Sequence, residues 1–204
     1  MRVIAGRLKG RRLEGPRWEG LRPTSDSLRE TLFNILGPRI DGARVLDGYA
    51  GTGALGIEAL SRGAAHVTFV ERDRRALALI ARNLAACGVS GGYTIVSSGV
   101  ETMAEPLAGQ HFDIVLLDPP YGIGPLDGVV ADAQGALGDG GVLVLEHAAR
   151  AAAPARAGAL VLTRRVTAGD SALGFYVLSP ASDSEAPWQE HGSASPSTRG
   201  RSTR

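Results

Sequence analysis

The sequence predicts an α/β fold: a mostly parallel, seven-stranded sheet with helices on both faces and an antiparallel hairpin at one edge. Three observations carry that expectation. From Arg44 onward, short apolar runs alternate with stretches of helical periodicity, as strands joined by crossover helices do. The first apolar run leads directly into a Gly-x-Gly-x-x-Gly at Gly51, Gly53 and Gly56, the pattern of a tight strand-to-helix turn. The last two runs, "GALVLTRRV" and "ALGFYVL", have no helical stretch between them, so they pair as a hairpin.

The opening "RVIAGRLKGRRLEGP" alternates loosely, with Gly6, Gly10 and Gly15 at turn-like intervals, and reads as a small β-hairpin extension over residues 1–22. In "RPTSDSLRETLFNILG", Ser27 followed three residues later by Glu30 reads as a capping box. Leu28, Leu32 and Ile35 recur on one face, and Gly37-Pro38 ends the helix. Next come "RVLD" as a strand, "LGIEALSRG" as a helix and "HVTFVE" as a strand. "DRRALALIARNLAACG" reads as a helix capped by Asp73, with Leu77, Ile80 and Leu84 inward and Gly88 at its end. "YTIVS", "FDIVLLD" and "GVLVLEH" are strands, with a weaker helix between Leu126 and Leu137. The main domain spans residues 23–179. After it, the Ser-, Pro- and Gly-rich stretch 180–204 has only Trp188 as a large apolar residue and is expected to be disordered, since it buries too little surface to offset its ordering entropy.

Composition sets broad limits. At 204 residues, with 44% hydrophobic and 21% charged residues, the chain suits one soluble domain with a good core. Its single cysteine, Cys87, sits among alanines and leucines and reads as a buried helix position. His66, His111, His147 and His191 have no metal-ligand spacing with one another or with Cys87, so no metal is expected. His147, after Glu146 at a strand end, reads as a structural histidine. No signal peptide and no window near the roughly 18 apolar residues of a membrane span are found, which makes the expected location cytoplasmic. The net charge of +1 hides an uneven distribution: residues 1–22 carry seven basic residues against two acidic ones. Such a basic arm suits a polyphosphate surface, because each cation near a phosphate releases a condensed counterion; a solvated face is the plain alternative.

Gly51 and Gly53 let the backbone approach a ligand closely, and Gly56 lets the following helix pack against the sheet. Glu71, at the end of the next strand, is placed to bind ribose hydroxyls. Together these residues fit a nucleoside without saying which. Asp47 narrows the choice. It precedes the loop where a dinucleotide would place its pyrophosphate, and a carboxylate there repels phosphate. S-adenosylmethionine has no phosphate, and its ammonium and sulfonium groups are cations. A turn-capping role for Asp47 is the simpler alternative.

"IVLLDPPYG" ends an apolar strand with Asp118, Pro119, Pro120 and Tyr121, where an open parallel sheet binds its ligands. This tetrapeptide suits methyl transfer to an exocyclic amine, a poor nucleophile whose lone pair is delocalised into the base. The Asp118 carboxylate and the Pro119 carbonyl can each accept an N–H bond and disperse the positive charge that grows on nitrogen. The prolines hold these acceptors in place, and Tyr121 offers a ring on which an unpaired base can stack.

These motifs resemble the class I, Rossmann-like S-adenosylmethionine-dependent methyltransferases. Within them, the chain is similar to the bacterial RsmD-type small-subunit (16S) ribosomal RNA guanine-N2 methyltransferases from about Met1 to Leu178. "RVIAGRLKGRRL" and "RPTSDSLRETLFNIL" are the narrow supports; "LDGYAGTGALGIEALSRGA", "FVERD", "LLDPPY" and "GDSALGFY" are broader ones. The resemblance implies a cofactor held by Asp47, Gly51, Thr52, Gly53 and Glu71, with Ser98 or backbone N–H groups at the adenine. It implies Asp118, Pro119, Pro120 and Tyr121 at the target amine. Arg22 and Thr24 would lie at the pocket rim, and Arg7, Lys9, Arg11 and Arg12 would grip RNA. Three departures stand out. Gly48 replaces the usual apolar residue, no acid is found around Ser98-Gly99, and "AGDS" lacks the aromatic that often precedes the closing glycine.

The expected enzyme is a monomer acting on ribosomal RNA or a small-subunit particle. A DNA adenine or cytosine amino methyltransferase is the alternative within enzymes, although the chain leaves no room for a target-recognition domain. An NAD-dependent dehydrogenase is disfavoured by Asp47, and a non-catalytic RNA-binding module by the intact Asp118 and glycine loop.

Overall fold

The structure, a computed structural model, describes residues 1–16, 18 and 25–179. Five parallel strands form the centre of one sheet: β1 (Arg44–Gly48), β2 (His66–Glu71), β3 (Tyr93–Ser97), β4 (Phe112–Leu117) and β5 (Leu137–Ala148). Three strands extend the β5 side antiparallel: β6 (Arg156–Ala157), β7 (Leu160–Ala168) and β8 (Ser171–Leu178). The order is β3-β2-β1-β4-β5-β8-β7-β6. The seven expected strands and the edge hairpin are present, and the two-residue β6 adds an eighth at the rim.

Helices α1 (Asp26–Leu36), α2 (Ala54–Ser61), α3 (Arg74–Ala86) and α4 (Leu126–Ala133) complete the fold. One core cluster joins Leu28, Leu32, Ile57, Leu60, Ile80 and Leu84 to the sheet residues Val45, Val67, Phe69, Leu116 and Val144. The other packs Val100, Met103, Val129 and Val130 against Leu46, Val115, Leu117, Leu143 and Leu145. Alternate residues of one strand therefore feed opposite layers, as the two-residue period of a strand requires. Full burial of each such side chain contributes about 1.5–3 kcal/mol before entropy is counted.

Local chemistry moves two expected details. The cap of α1 is Ser25, whose hydroxyl accepts from the Leu28 N–H at 3.2 Å; Ser27 lies inside the first turn, so the expected Ser27–Glu30 box does not form. The buried face of α1 includes Arg29 and Phe33, with Ile35 at its margin. In α3 the Asp73 cap is as expected, its carboxylate accepting from the Arg75 N–H at 2.8 Å, but the inward residues are Ala76, Leu79, Ile80, Asn83 and Leu84 rather than Leu77. Cys87 is buried.

The opening hairpin is reduced to one antiparallel bridge, Arg2 to Arg12, because its interior is a run of turns. Val3, Leu8 and Leu13 belong to the first core cluster, so this segment is built into the domain rather than appended to it. It is fastened to α2: the Glu58 carboxylate accepts from the Ile4 and Ala5 N–H groups at 2.7 and 3.0 Å, and the Ser61 hydroxyl accepts from the Leu8 N–H at 2.9 Å. The expected disorder of residues 180–204 lies outside the described residues. Among those described, no helix is long and apolar enough to cross a membrane.

Candidate active site

Strand order reverses between β1 and β4, and the crevice beyond their carboxyl ends is where sheets of this kind bind ligands. Gly48 of β1 is in register with Leu117 of β4, and the Asp118 N–H reaches the Gly48 carbonyl at 3.5 Å. The glycine loop and the Asp118–Tyr121 turn therefore leave adjacent strands on the same side. Register explains the first sequence departure as well. A Cβ on Gly48 would stand 2.7 Å from Leu117 Cδ2 and 3.1 Å from Val100 Cγ2, so the neighbouring side chains fill that space.

The loop is wound tightly. Gly51 (φ 55°) and Gly53 (φ 76°) take left-handed conformations, and so does Tyr49 (φ 59°), which is strained for a residue with a side chain. The Gly51 N–H donates to Glu71 Oε2 at 2.9 Å, while Glu71 Oε1 accepts from the Arg72 and Asp73 N–H groups, both at 2.8 Å. The acid expected at the ribose thus also ties β2 to the loop. Gly56 has the packing role expected of it, since a Cβ there would lie 2.2 Å from Phe69 Cε1.

Asp47 is 1% exposed, and one of its oxygens, Oδ2, accepts from the Gly56 N–H at 2.8 Å. Burial pushes its pKa well above the ordinary carboxylate range, and the Asp118 and Glu71 charges add to that rise; the Gly56 hydrogen bond opposes it. Asp47, Glu71 and Asp118 therefore make one acidic crevice. Asp47 does serve as the turn cap weighed from sequence, and its burial disfavours the charged form unless a cation stands nearby.

On the other wall, Pro119 is buried, Asp118 is half-buried and Pro120 is exposed. The Tyr121 ring is 51% exposed while its hydroxyl bonds the Ser171 hydroxyl at 3.0 Å, so the side chain is anchored at its tip with an accessible face. That arrangement leaves an accessible ring face at the end of the Asp118–Tyr121 turn.

The architecture matches that of known methyltransferases. A solved Escherichia coli structure described as a candidate methyltransferase superposes with a TM-score of 0.75 at 34% identity, over 88% of this chain and 98% of that one. The family model "Conserved hypothetical protein 95" matches residues 1–177. This chain belongs to that family. Among curated relatives, the ribosomal RNA small subunit methyltransferase D of Escherichia coli K12 is 36% identical over 188 residues, 91% of this chain and 94% of that protein. The Haemophilus influenzae protein of the same name is 45% identical over 123 residues, 59% of this chain and 64% of the relative. The fold is accordingly the Rossmann-like methyltransferase fold expected from the motifs.

The structure brings Asp47, Gly51, Thr52, Gly53 and Glu71 to the end of β1, the turn after it and the end of β2, where Glu71 bonds Gly51 and Asp47 bonds Gly56. It sets Ser98 beside them through the Ser98 N–H, which donates to the Glu71 carbonyl at 3.1 Å. The Ser98 hydroxyl itself turns to the Gly99 carbonyl and the Thr102 hydroxyl, both at 3.0 Å. Glu101 is an acid close to Ser98-Gly99 that the sequence did not single out. A 3-10 turn, Val100–Thr102, folds it back over Gly99, and Arg72 pairs with it at 3.3 Å. Its signal was the short spacing of "SGVET", which brings a residue three positions on into contact. Tyr49 also escaped notice, and burial with the nearby Glu101 and Asp132 charges raises its phenol to about 12.

Lys9, Arg11 and Arg12 are exposed, as an RNA-facing role requires. Arg7 is exposed too, but its Nε donates to the Leu60 carbonyl at 3.2 Å and its N–H to the Ser61 carbonyl at 2.8 Å, so it helps fasten the segment to α2. Arg22 and Thr24 lie outside the described residues. Arg29, fully buried on α1, was missed: it donates to the Arg2 carbonyl at 2.7 Å and to Asp26 at 2.6 Å. His147 is buried, with Nδ1 at 2.9 Å from the Ala148 carbonyl and no partner at Nε2, and burial lowers its pKa. Its burial and one bond agree with the structural reading only in part, since Nε2 is left unsatisfied among the described residues.

Proposed function

We propose that this chain transfers a methyl group from S-adenosylmethionine to the exocyclic N2 amine of a guanine in small-subunit ribosomal RNA. The observation that carries this reading is the juxtaposition at the switch point: Asp118 and Pro119 leave β4 directly beside the acidic glycine loop at the end of β1. The curated relatives named above, called small-subunit ribosomal RNA methyltransferases, support the substrate class.

The residues suit this donor. Asp47 is a buried carboxylate whose ionised form lacks solvation, so a cationic ammonium or sulfonium group nearby would restore its charge. In this reading Glu71, at the end of β2 and bonded to the Gly51 N–H, takes the ribose hydroxyls, and Ser98 with Glu101 the adenine. When bound, S-adenosylmethionine supplies an electrophilic methyl carbon on a positively charged sulfur. Asp118 and the Pro119 carbonyl accept the two N–H bonds of the target amine and favour the pyramidal nitrogen that attacks. Tyr121 holds the unpaired base by stacking, which is worth about 1–3 kcal/mol at comparable single-stranded sites. The excess proton leaves to water or to Asp118. Arg11, Arg12 and Lys9 grip the phosphate backbone.

The test is to incubate the protein with labelled donor and with unmethylated small-subunit particles, deproteinised RNA or DNA, then map the modified base by mass spectrometry. Label on a guanine amino group of the ribosomal RNA supports the reading. Label on DNA, or none, overturns it.

A further inference from the structure

One buried amide joins the two segments that such a reaction has to use together. Asn83, on α3, is 1% exposed. Its Nδ2 donates to the Thr52 carbonyl at 2.9 Å and to the Glu14 carbonyl at 3.1 Å, and its Oδ1 accepts from the Glu14 N–H at 2.7 Å. Thr52 lies between the two left-handed glycines of the cofactor loop. Glu14 closes the N-terminal segment, two residues after the exposed pair Arg11 and Arg12.

A carboxamide has two donor hydrogens and one oxygen acceptor, and here all three groups are engaged in a buried place. Turning the amide, or withdrawing either partner, would strand polar groups that water does not reach. The position of the Thr52 carbonyl and the path of the chain at Glu14 are therefore not independent. A second connection runs in parallel: the Gly53 carbonyl accepts from Ile57 in the first turn of α2 at 2.9 Å, and the adjacent Glu58 carboxylate holds Ile4 and Ala5. The Asn83 link is the shorter, since one side chain touches both segments.

We propose that Asn83 is a positioning residue that couples the cofactor loop to the RNA-gripping segment, so that filling the loop slows the local opening of residues 11–16 and tightens their hold on RNA. Coupling of this kind is reciprocal, so RNA tightens the cofactor by the same factor. The RNA half of the statement rests on the function proposed above. The link between loop and segment does not.

The test has two arms on the full chain. In the first, amide hydrogen exchange is followed with and without S-adenosylhomocysteine. The wild type should show slowed exchange at 51–53 and also at 11–16, and Asn83→Ala should keep the first protection and lose the second. No protection of 11–16 in the wild type, a result that needs no variant to fold, overturns the coupling. So does protection of 11–16 that survives in Asn83→Ala. In the second arm, the Kd for a small-subunit ribosomal RNA transcript is measured with and without S-adenosylhomocysteine. The wild-type ratio should be roughly fivefold or more, the lower end of common allosteric factors, and should fall to about one in Asn83→Ala. A merely structural asparagine would weaken both affinities and leave the ratio unchanged, and that outcome refutes the proposal. A wild type that binds neither the transcript nor an unmethylated small-subunit particle refutes the RNA function, while the exchange arm still decides whether loop and segment are linked.

Discussion

Gly56→Ala sets two effects of known sign against each other. In an open helix the change is favourable by about 1 kcal/mol, because alanine has less backbone entropy to lose. Here the new Cβ would stand 2.2 Å from Phe69 Cε1, 2.7 Å from Phe69 Cζ and 2.8 Å from Val67 Cγ1. Ordinary contact begins at 3.4 Å, so α2 and the Phe69 ring have to part by more than 1 Å. Phe69 is fully buried between strand and helix and has nowhere to turn. Overpacking of this kind costs about 1–3 kcal/mol and outweighs the propensity gain. A net loss of up to about 2 kcal/mol corresponds to a Tm lower by up to roughly 8 °C for a chain of this size. The displacement also moves the start of α2, which carries the Gly53 cap and the Asp47–Gly56 bond, so donor affinity should fall together with stability. Thermal unfolding read beside calorimetric titration with S-adenosylhomocysteine measures both. A raised Tm with unchanged affinity would show that the close packing of α2 on β2 is not what fixes the loop.

Asp118→Ala should lower turnover at least about a hundredfold while leaving S-adenosylhomocysteine affinity nearly unchanged, as expected of an acceptor needed in the transition state; single-turnover kinetics with calorimetry check it. Asp47→Asn keeps an oxygen for the Gly56 N–H but removes the buried charge. Because the pKa of Asp47 is raised in the native state, that state holds more protons than the unfolded one, so this group's contribution to stability is lost as pH rises from the ordinary Asp range through the raised value. The variant should therefore unfold at higher urea than wild type at neutral pH, with the difference vanishing in acid, and should bind the donor more weakly. Equal midpoints at every pH would contradict the assignment. Replacing Arg11 and Arg12 together with Ala should weaken RNA binding and reduce the slope of log K against log salt by up to about 2, measured by fluorescence anisotropy across a salt series.

What the sequence settled by itself was whatever short-range physics determines. Alternating apolar runs and helical periodicity were enough for a mostly parallel sheet with an antiparallel edge, because side-chain direction follows from the period of each element. The glycine pattern with Asp47 and Glu71, and the tetrapeptide from Asp118 to Tyr121, marked the crevice because their spacing and order along the strands are local properties. Tertiary contact decided the rest. Asn83 reads as one more polar residue of a helix until its amide is seen spanning Thr52 and Glu14, 31 and 69 positions away. Glu58 and Ser61 look like surface residues of α2 until the N-terminal segment lies on them, and Glu101 comes against Gly99 only through a 3-10 turn. Hydrogen bonds between segments distant in sequence leave no periodic trace, because each depends on where two chains cross in space.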